Sequence, residues 1–388
     1  MILPAVGQWL STQRPDGFLP YGYDFLANEA REPDTLSAAN LTRQAATAAA
    51  LADYFALTKD PRARPAIQRF LRAFGRHALP IGKSRGQVLL EATRILSLPV
   101  GRYKLRAALA RLGLLYETKG PGAIPAPGAD YGKAYAGAAA LALLTELRYT
   151  QASRDNQFAP LRQAWLQGLI ALRIPGDGFR QFPTSIDTNA YMDGQGWLAL
   201  AQYHHSFPND HGVTALLADL DMALMRKYGT AFRAEFYHWG TMAAAARYAD
   251  TRDPRLLAFI EQQTRTFLSR VAGRPSADNT CASVEGVADA LGALQRARED
   301  HGALAQKAME WVMIEMHKNT ALQIQPGQGE LVFAGARIIA PRMAAYAGAF
   351  RSGVYAADTQ IDLTAHCVSA MVKLRRNGLV PRRTDGVR

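Results

Sequence analysis

Six residues scattered along this chain of 388 residues have side chains suited to moving a proton: Asp24, Asp193, His238, Glu285, Asp362 and His366. Asp362 and His366 stand four apart in IDLTAHCVSA, so on a helix both lie on one face. That spacing makes either an oriented acid/base pair or a plain structural hydrogen bond. An uncharged histidine serves as a general base near neutral pH, and His238 in EFYHWG is the second candidate. Either histidine could equally be a satisfied core residue. The carboxylates allow a different chemistry. Glycoside cleavage needs one protonated and one ionised carboxyl, roughly 5 to 9.5 Å apart depending on stereochemistry.

Around these candidates lie groups suited to holding a sugar. The stretch DGFRQFPTSIDTNAYMDGQGW, residues 177–197, gathers Arg180, Asp187, Tyr191 and Asp193 before an apolar helix. Asp187 could be that helix's N-cap, whereas Asp193 falls inside it, where aspartate is a poor helix former with no cap to make. Tyr21, Tyr23, Tyr191 and Trp239 offer faces that stack on sugar rings, and Arg180 and Arg337 offer positive charge. Core packing competes for the aromatic residues. GPGAIPAPG and QPGQGE lack the phosphate-loop pattern, and no HExxH or Cys/His cluster appears, so neither a nucleotide nor a metal site is expected and no cofactor is implied.

Composition narrows the class. The net charge of +12 invites a nucleic-acid reading, but the basic residues are dispersed and no zinc finger, RNP motif or basic heptad accompanies them. A basic surface also suits an anionic polysaccharide. No apolar run reaches the roughly 18 residues of a membrane span. The first residues lack a basic segment followed by a long apolar one, which makes the cytoplasm the default location, with a periplasmic one still open. Cys281 and Cys367 cannot build a disulfide framework and read as buried free thiols, with a single bridge or a nucleophile as the alternatives.

The positioning elements are helices. Ala- and Leu-rich windows predict helices near 2–13, 37–57, 61–75, 133–150, 154–173, 189–206, 211–226, 234–250, 254–270, 280–298, 301–318 and 361–376. Two junctions nearly repeat, ADYFALTKDPRARPAI and ARYADTRDPRLLAFI, each predicting an Asp N-cap with Pro at the first helical position. Shorter turns at 151–154, 208–210 and 299–301 do the same. Connections leaving the Ala-rich helices are short and those entering them are long, which puts every long loop at one end of a ring. Long loops in a compact domain are usually functional. The expected fold is therefore all-α: six inner and six outer helices over residues 1–388 as one domain, with a helical insertion at about 83–116.

A cyclic run of six hairpins resembles the (α/α)6 toroid of six-hairpin glycosidases, toroid polysaccharide lyases and the C-terminal domain of glucuronyl C5-epimerases. DGFLPYGYD (Asp16–Asp24) looks like the first strand and loop of such proteins, and TKDPR and TRDPR like their inter-helix turns. The resemblance implies a carbohydrate-active enzyme, hydrolase, lyase or uronate epimerase, acting on an acidic glycan at the mouth where the inner-helix N-termini point. A non-catalytic toroid that binds a glycan or a partner protein is the alternative. A terpene-cyclase-like toroid is weaker, because no DxDD or DDxxD cluster appears. Oligomeric state is left open.

Overall fold

The computed structural model describes residues 2–31, 36–96, 101–273, 276–297, 301–333 and 335–380. In chain order the first helices are α1 (Ile2–Thr12), α2 (Ala38–Thr58), α3 (Ala63–Arg76), α4 (Arg85–Ile95), α5 (Arg102–Arg111), α6 (Ala136–Ser153) and α7 (Ala159–Leu172). The second half adds α8 (Ala190–Ser206), α9 (His211–Thr230), α10 (Ala234–Thr251), α11 (Pro254–Val271), α12 (Cys281–Arg296), α13 (Gly302–Ala321) and α14 (Ile361–Arg376). Helices α2, α6, α8, α10, α12 and α14 each pack on the next, and α14 returns to α2, closing an inner ring. Each has an outer partner: α3, α7, α9, α11, α13 and, for α14, α1. This is an (α/α)6 toroid.

The inner helices are crowded on every side, which is why they read as Ala-rich rather than amphipathic. In α6 every residue from Ala136 to Tyr149 is buried. Outer helices carry a stripe instead, as in α3, where Ala63, Ala66, Ile67, Phe70, Leu71 and Phe74 face inward at helical spacing. Small residues set the closest approaches. A Cβ at Gly286 of α12 would lie 2.8 Å from the His238 Cα of α10, and one at Gly194 of α8 would lie 2.6 Å from the Trp239 Cβ.

The short turns reuse one device. Lys59, Arg154 and Arg252 end α2, α6 and α10 in the left-handed region, each donating its backbone N–H to a carbonyl four residues back. Asp253 then caps α11 with Pro254 at its first position, as the repeat predicts. The sister turn differs: Asp60 accepts from the Arg62 N–H, and α3 begins only at Ala63. The turn expected at 299–301 lies largely outside the described residues.

Strands appear only in the connections. β1 (Gly22–Asp24) is central in a small antiparallel sheet between β2 (Glu29–Arg31) and β7 (Asp358–Gln360), and β7 leads directly into α14. β3 (Ala78–Lys83) pairs with β4 (Tyr116–Pro125), and the two bracket α4 and α5; the ring closes without those helices. β5 (Glu330–Phe333) and β6 (Ala336–Ile339) form a hairpin in the long connection before α14. Among the described residues no helix is long and apolar enough to cross a membrane.

The cysteines correct the sequence reading. Cys281, the first residue of α12, and Cys367, in the second turn of α14, form a disulfide across the inner ring rather than standing as free thiols. Their helices are neighbours whose registers the hairpin pattern did not reveal.

Candidate active site at the axis of the ring

Several polar side chains of the inner helices point to the axis of the ring. On α14, Asp362, His366, Ser369 and Lys373 follow one another at spacings of four, three and four, a single stripe descending from the mouth. Glu285 of α12 meets that stripe: one of its oxygens lies 2.6 Å from His366 Nδ1 and the other 3.6 Å from Lys373 Nζ. Lys373 continues to Asp53 of α2 at 3.8 Å, and Asp53 pairs with Arg148 of α6 at 2.8 Å. His238 of α10 stacks edge-on against His366, ring centres 5.5 Å apart, and Trp239 lies 6.0 Å from the same ring.

Burial and charge then assign protonation. Burial alone would push Glu285 up, but Lys373 and His366 outweigh it and hold the carboxyl down at about 2. Burial would push His366 down, and Glu285 outweighs that, so His366 sits above the usual histidine value. His238 is held down at about 3 by burial and by the neighbouring His366, which keeps it neutral. Its Nε2 is buried with no hydrogen-bond partner among the described residues. The axis therefore carries an ionised carboxylate, a neutral histidine in His238 and, in His366, a histidine whose charged form is favoured over that of a free imidazole.

Nearer the mouth the side chains are partly exposed. Arg43 of α2 lies 3.2 Å from an Asp362 oxygen and donates to the Tyr21 hydroxyl, which also contacts Gln360. The other Asp362 oxygen is buried without a hydrogen-bond partner. Tyr191, 44% exposed in the first turn of α8, has its ring 6.5 Å from that of His238. Burial and Glu235 push its hydroxyl above the ordinary tyrosine value, with Arg43 opposing. Beneath these groups the axial cavity is about 10 Å³, room for one water and no more. Any ligand larger than a water must sit above it, in the mouth.

His238, Glu285 and His366 each present a donor atom within 4.8 Å of one another, a set that suits a divalent metal. Lys373 already lies 3.6 Å from that carboxylate, so a dication would add to a positive setting. The cluster is better suited to holding and passing a proton.

Thus Tyr21, Tyr191, His238, Trp239, Glu285, Asp362 and His366 come together, drawn from α2's entry, α8, α10, α12 and α14. The other candidates do not join them. Asp24 accepts from the Leu26 and Ala27 N–H groups and pairs with Arg31, tying its own strand turn. Tyr23 donates to Asn28 and packs on Phe25 and Tyr346 in a separate small core. Asp193 is wholly buried facing the outer helix, accepting from the Phe179 N–H, Lys227 and Tyr228; burial pushes its carboxyl up despite those donors. Asp187 is exposed at the ring's outside, and the cap of α8 is Asn189. Arg337 pairs with Glu330 on the exposed β5–β6 hairpin. Arg180 is buried, donating to the carbonyls of Ala171, Pro183 and Leu115 and to Gln87.

Sequence reasoning missed Arg43, Asp53, Arg148 and Lys373. Their signal was present: each is a charged residue embedded in an Ala-rich inner helix, and Lys373 extends the Asp362–His366 stripe by two turns.

No known protein family and no curated protein matches the chain by sequence. Solved structures do match, along almost the whole length. One is an inactive variant of an alpha-1,6-mannanase from Salegentibacter sp. HEL1_6 in complex with alpha-1,6-mannotetrose, at TM-score 0.61 and 11% identity, covering 97% of this chain and 98% of that one. Another is an unsaturated glucuronyl hydrolase specific for heparin, at TM-score 0.58 and 11% identity, covering 98% and 97%. A third is the Lin0763 protein from Listeria innocua, at TM-score 0.55 and 10% identity, covering 97% of each. The chain shares the six-hairpin toroid with them; at these identities the likeness is one of fold.

Proposed function

We propose that this chain, read as one toroidal domain with α4 and α5 as an insertion, is a carbohydrate-active enzyme that takes an acidic glycan at the inner-ring mouth. The observation that carries the reading is the part-buried Glu285–His366 pair facing a mouth lined by Tyr191, Arg43 and Asp362. Inner-helix N-termini add partial positive charge around the same opening. That setting suits a uronate: Arg43 can hold its carboxylate, and Tyr191 offers a stacking face.

His366 is the proton carrier of the site. In its neutral form it accepts a proton from the sugar; charged by that step, it gives the proton up again, with Glu285 fixing the ring in both states. Tyr191 keeps its hydroxyl proton and can supply it to a departing oxygen. Glu285 stays ionised and so is no proton donor. A histidine and a tyrosine in place of a protonated carboxyl favour proton abstraction beside the uronate carboxylate, as in elimination or epimerisation. Hydrolysis is the second reading, favoured by the unpartnered Asp362 oxygen beside His366 and by the hydrolases that share the fold. The disulfide supports a working place where thiols oxidise rather than the cytoplasm.

Incubating the protein with uronate-containing and neutral polysaccharides in deuterated water separates the readings. Unsaturated products indicate elimination, deuterium retained in the polymer indicates epimerisation, and new reducing ends without unsaturation indicate hydrolysis. Binding with no turnover, unaltered by His366→Gln, would sink the enzymatic reading.

A further inference from the structure

A second cavity lies outside the ring, between the α4–α5 excursion, the loop before α8 and the outer helix α9. It encloses about 470 Å³, within the range of small-molecule sites. Five cations line it, Arg106, Arg173, Arg180, Arg226 and Lys227, against two carboxylates, Asp177 and Asp187. Two of the cations are well matched: Lys227 is held by Asp177 at 2.7 Å and Asp193 at 2.9 Å, and Arg173 by Asp219.

Arg106 and Arg180 are different. Arg180 is 2% exposed, and no carboxylate among the described residues lies within ion-pair distance of it. Among the described residues its bonded acceptors are three carbonyls and an amide, all neutral, and its Nε is buried with no acceptor. Among the described residues Arg106, 9% exposed, has one ion-pair contact, 3.4 Å to Asp187, whose side chain is 72% exposed. Burial and the Arg106 charge together press Arg180 down to about 10. A guanidinium taken out of water beside another guanidinium calls for a counter-charge. Leu90, Leu115 and Ala223 wall the remainder of the space, which suits the body of a ligand larger than a bare ion.

We infer that this outer cavity binds a small molecule bearing a phosphate or sulfate group, with the oxyanion placed between Arg106 and Arg180. Arg106 can offer its planar guanidinium fork to two such oxygens at once, and Arg180 adds its charge and its uncommitted Nε–H. This site is independent of the glycan reading at the ring axis.

Titration of the intact protein with inorganic phosphate, against chloride at matched ionic strength, tests it by calorimetry and by melting temperature. We expect saturable binding with a rise in Tm, weakened tenfold or more in Arg106→Gln, which leaves the buried Arg180 in place. Arg265→Gln, an exposed cation elsewhere, leaves it unchanged. Glucose 6-phosphate and glucose 6-sulfate then tell the two ester classes apart. No response beyond chloride, or full affinity retained in Arg106→Gln, overturns the proposal.

Discussion

His366 Nδ1 lies 2.6 Å from a Glu285 oxygen across the seam between two inner helices, with Glu285 buried and His366 partly buried below the mouth. The pair reaches across 81 residues of sequence, and its two charges depend on each other. Burial disfavours both, so neither would be ionised at that depth alone.

Replacing Glu285 by Gln should therefore lower the titration of His366. What remains around it is burial and Lys373, which favour the neutral ring, against Asp362, which favours the charged one. Imidazole NMR should show His366 moving from above the usual value of about 6.5 to below it, and any pH optimum for turnover should move the same way. Stability follows in sign. His366, raised in the fold, contributes fully below about 6.5 and loses that contribution as pH climbs through its folded value. Glu285, depressed, contributes above the ordinary carboxyl value and loses it as pH falls toward about 2. The wild type should thus be most favoured over the variant from mildly acidic to neutral pH, by roughly 3–5 kcal/mol if the pair behaves as buried pairs do. A His366 titration unmoved by the substitution would separate the two residues functionally.

Gly286→Ala tests how the site is held together. The added methyl would meet the His238 backbone at 2.8 Å, and backbone cannot rotate out of the way. Overpacking of this kind costs roughly 1–3 kcal/mol, and the relief is to move α10 from α12. We expect weaker protection of the α10 and α12 amides in hydrogen exchange and reduced turnover, with glycan affinity changed less. Wild-type exchange and activity in this variant would show that the close approach is incidental.

Much of this was legible before the structure. Short turns after Ala-rich helices and long loops before them gave the order around the ring, because an inner helix cannot expose a face and its partner must follow at once. Asp362 and His366 were legible as a pair because four residues is local geometry. Their partner Glu285 was legible only as a candidate, since which face of α12 meets α14 depends on ring closure. Arg180 and Asp193 misled for one reason: a charged residue in a buried segment looks the same in sequence whether it faces the axis or the outer helix. Asp193 answers Lys227 and Tyr228 on α9, and the sequence holds no local mark of that.

Arg43 and Arg180 should accordingly exchange the roles the sequence suggests. Arg43→Ala removes a partly exposed cation from the mouth and should weaken binding of uronate oligosaccharides several-fold, with little loss of stability, since a contact of this exposure is worth about 1 kcal/mol or less. Arg180→Ala strips donors from buried carbonyls at Ala171, Pro183 and Leu115, at roughly 1–3 kcal/mol for each left unsatisfied. It should lower the urea midpoint and leave glycan affinity of the folded fraction unchanged. Paired denaturation and binding curves on the two variants decide it; loss of glycan affinity in Arg180→Ala without loss of stability would return that residue to the mouth.

The disulfide couples stability to the same site. Cys281 lies one turn before Glu285 on α12, and Cys367 is next to His366 on α14, so the bridge fixes the two helices where the pair forms. It joins positions 86 residues apart, and restraining a loop of that length in the unfolded chain is worth roughly 2–5 kcal/mol. The double substitution Cys281→Ala with Cys367→Ala should lose stability in that range, measured by urea denaturation without reductant. Adding reductant to the wild type should approach the same midpoint, and adding it to the double variant should change nothing. A second consequence is local. With the staple gone, α12 and α14 are free to separate slightly, and Glu285 holds His366 less firmly. The His366 titration should then drift down toward the ordinary value, in the direction of Glu285→Gln but by less. If the double variant unfolds at the wild-type midpoint and keeps the wild-type His366 titration, the bridge neither restrains the unfolded chain nor positions the pair.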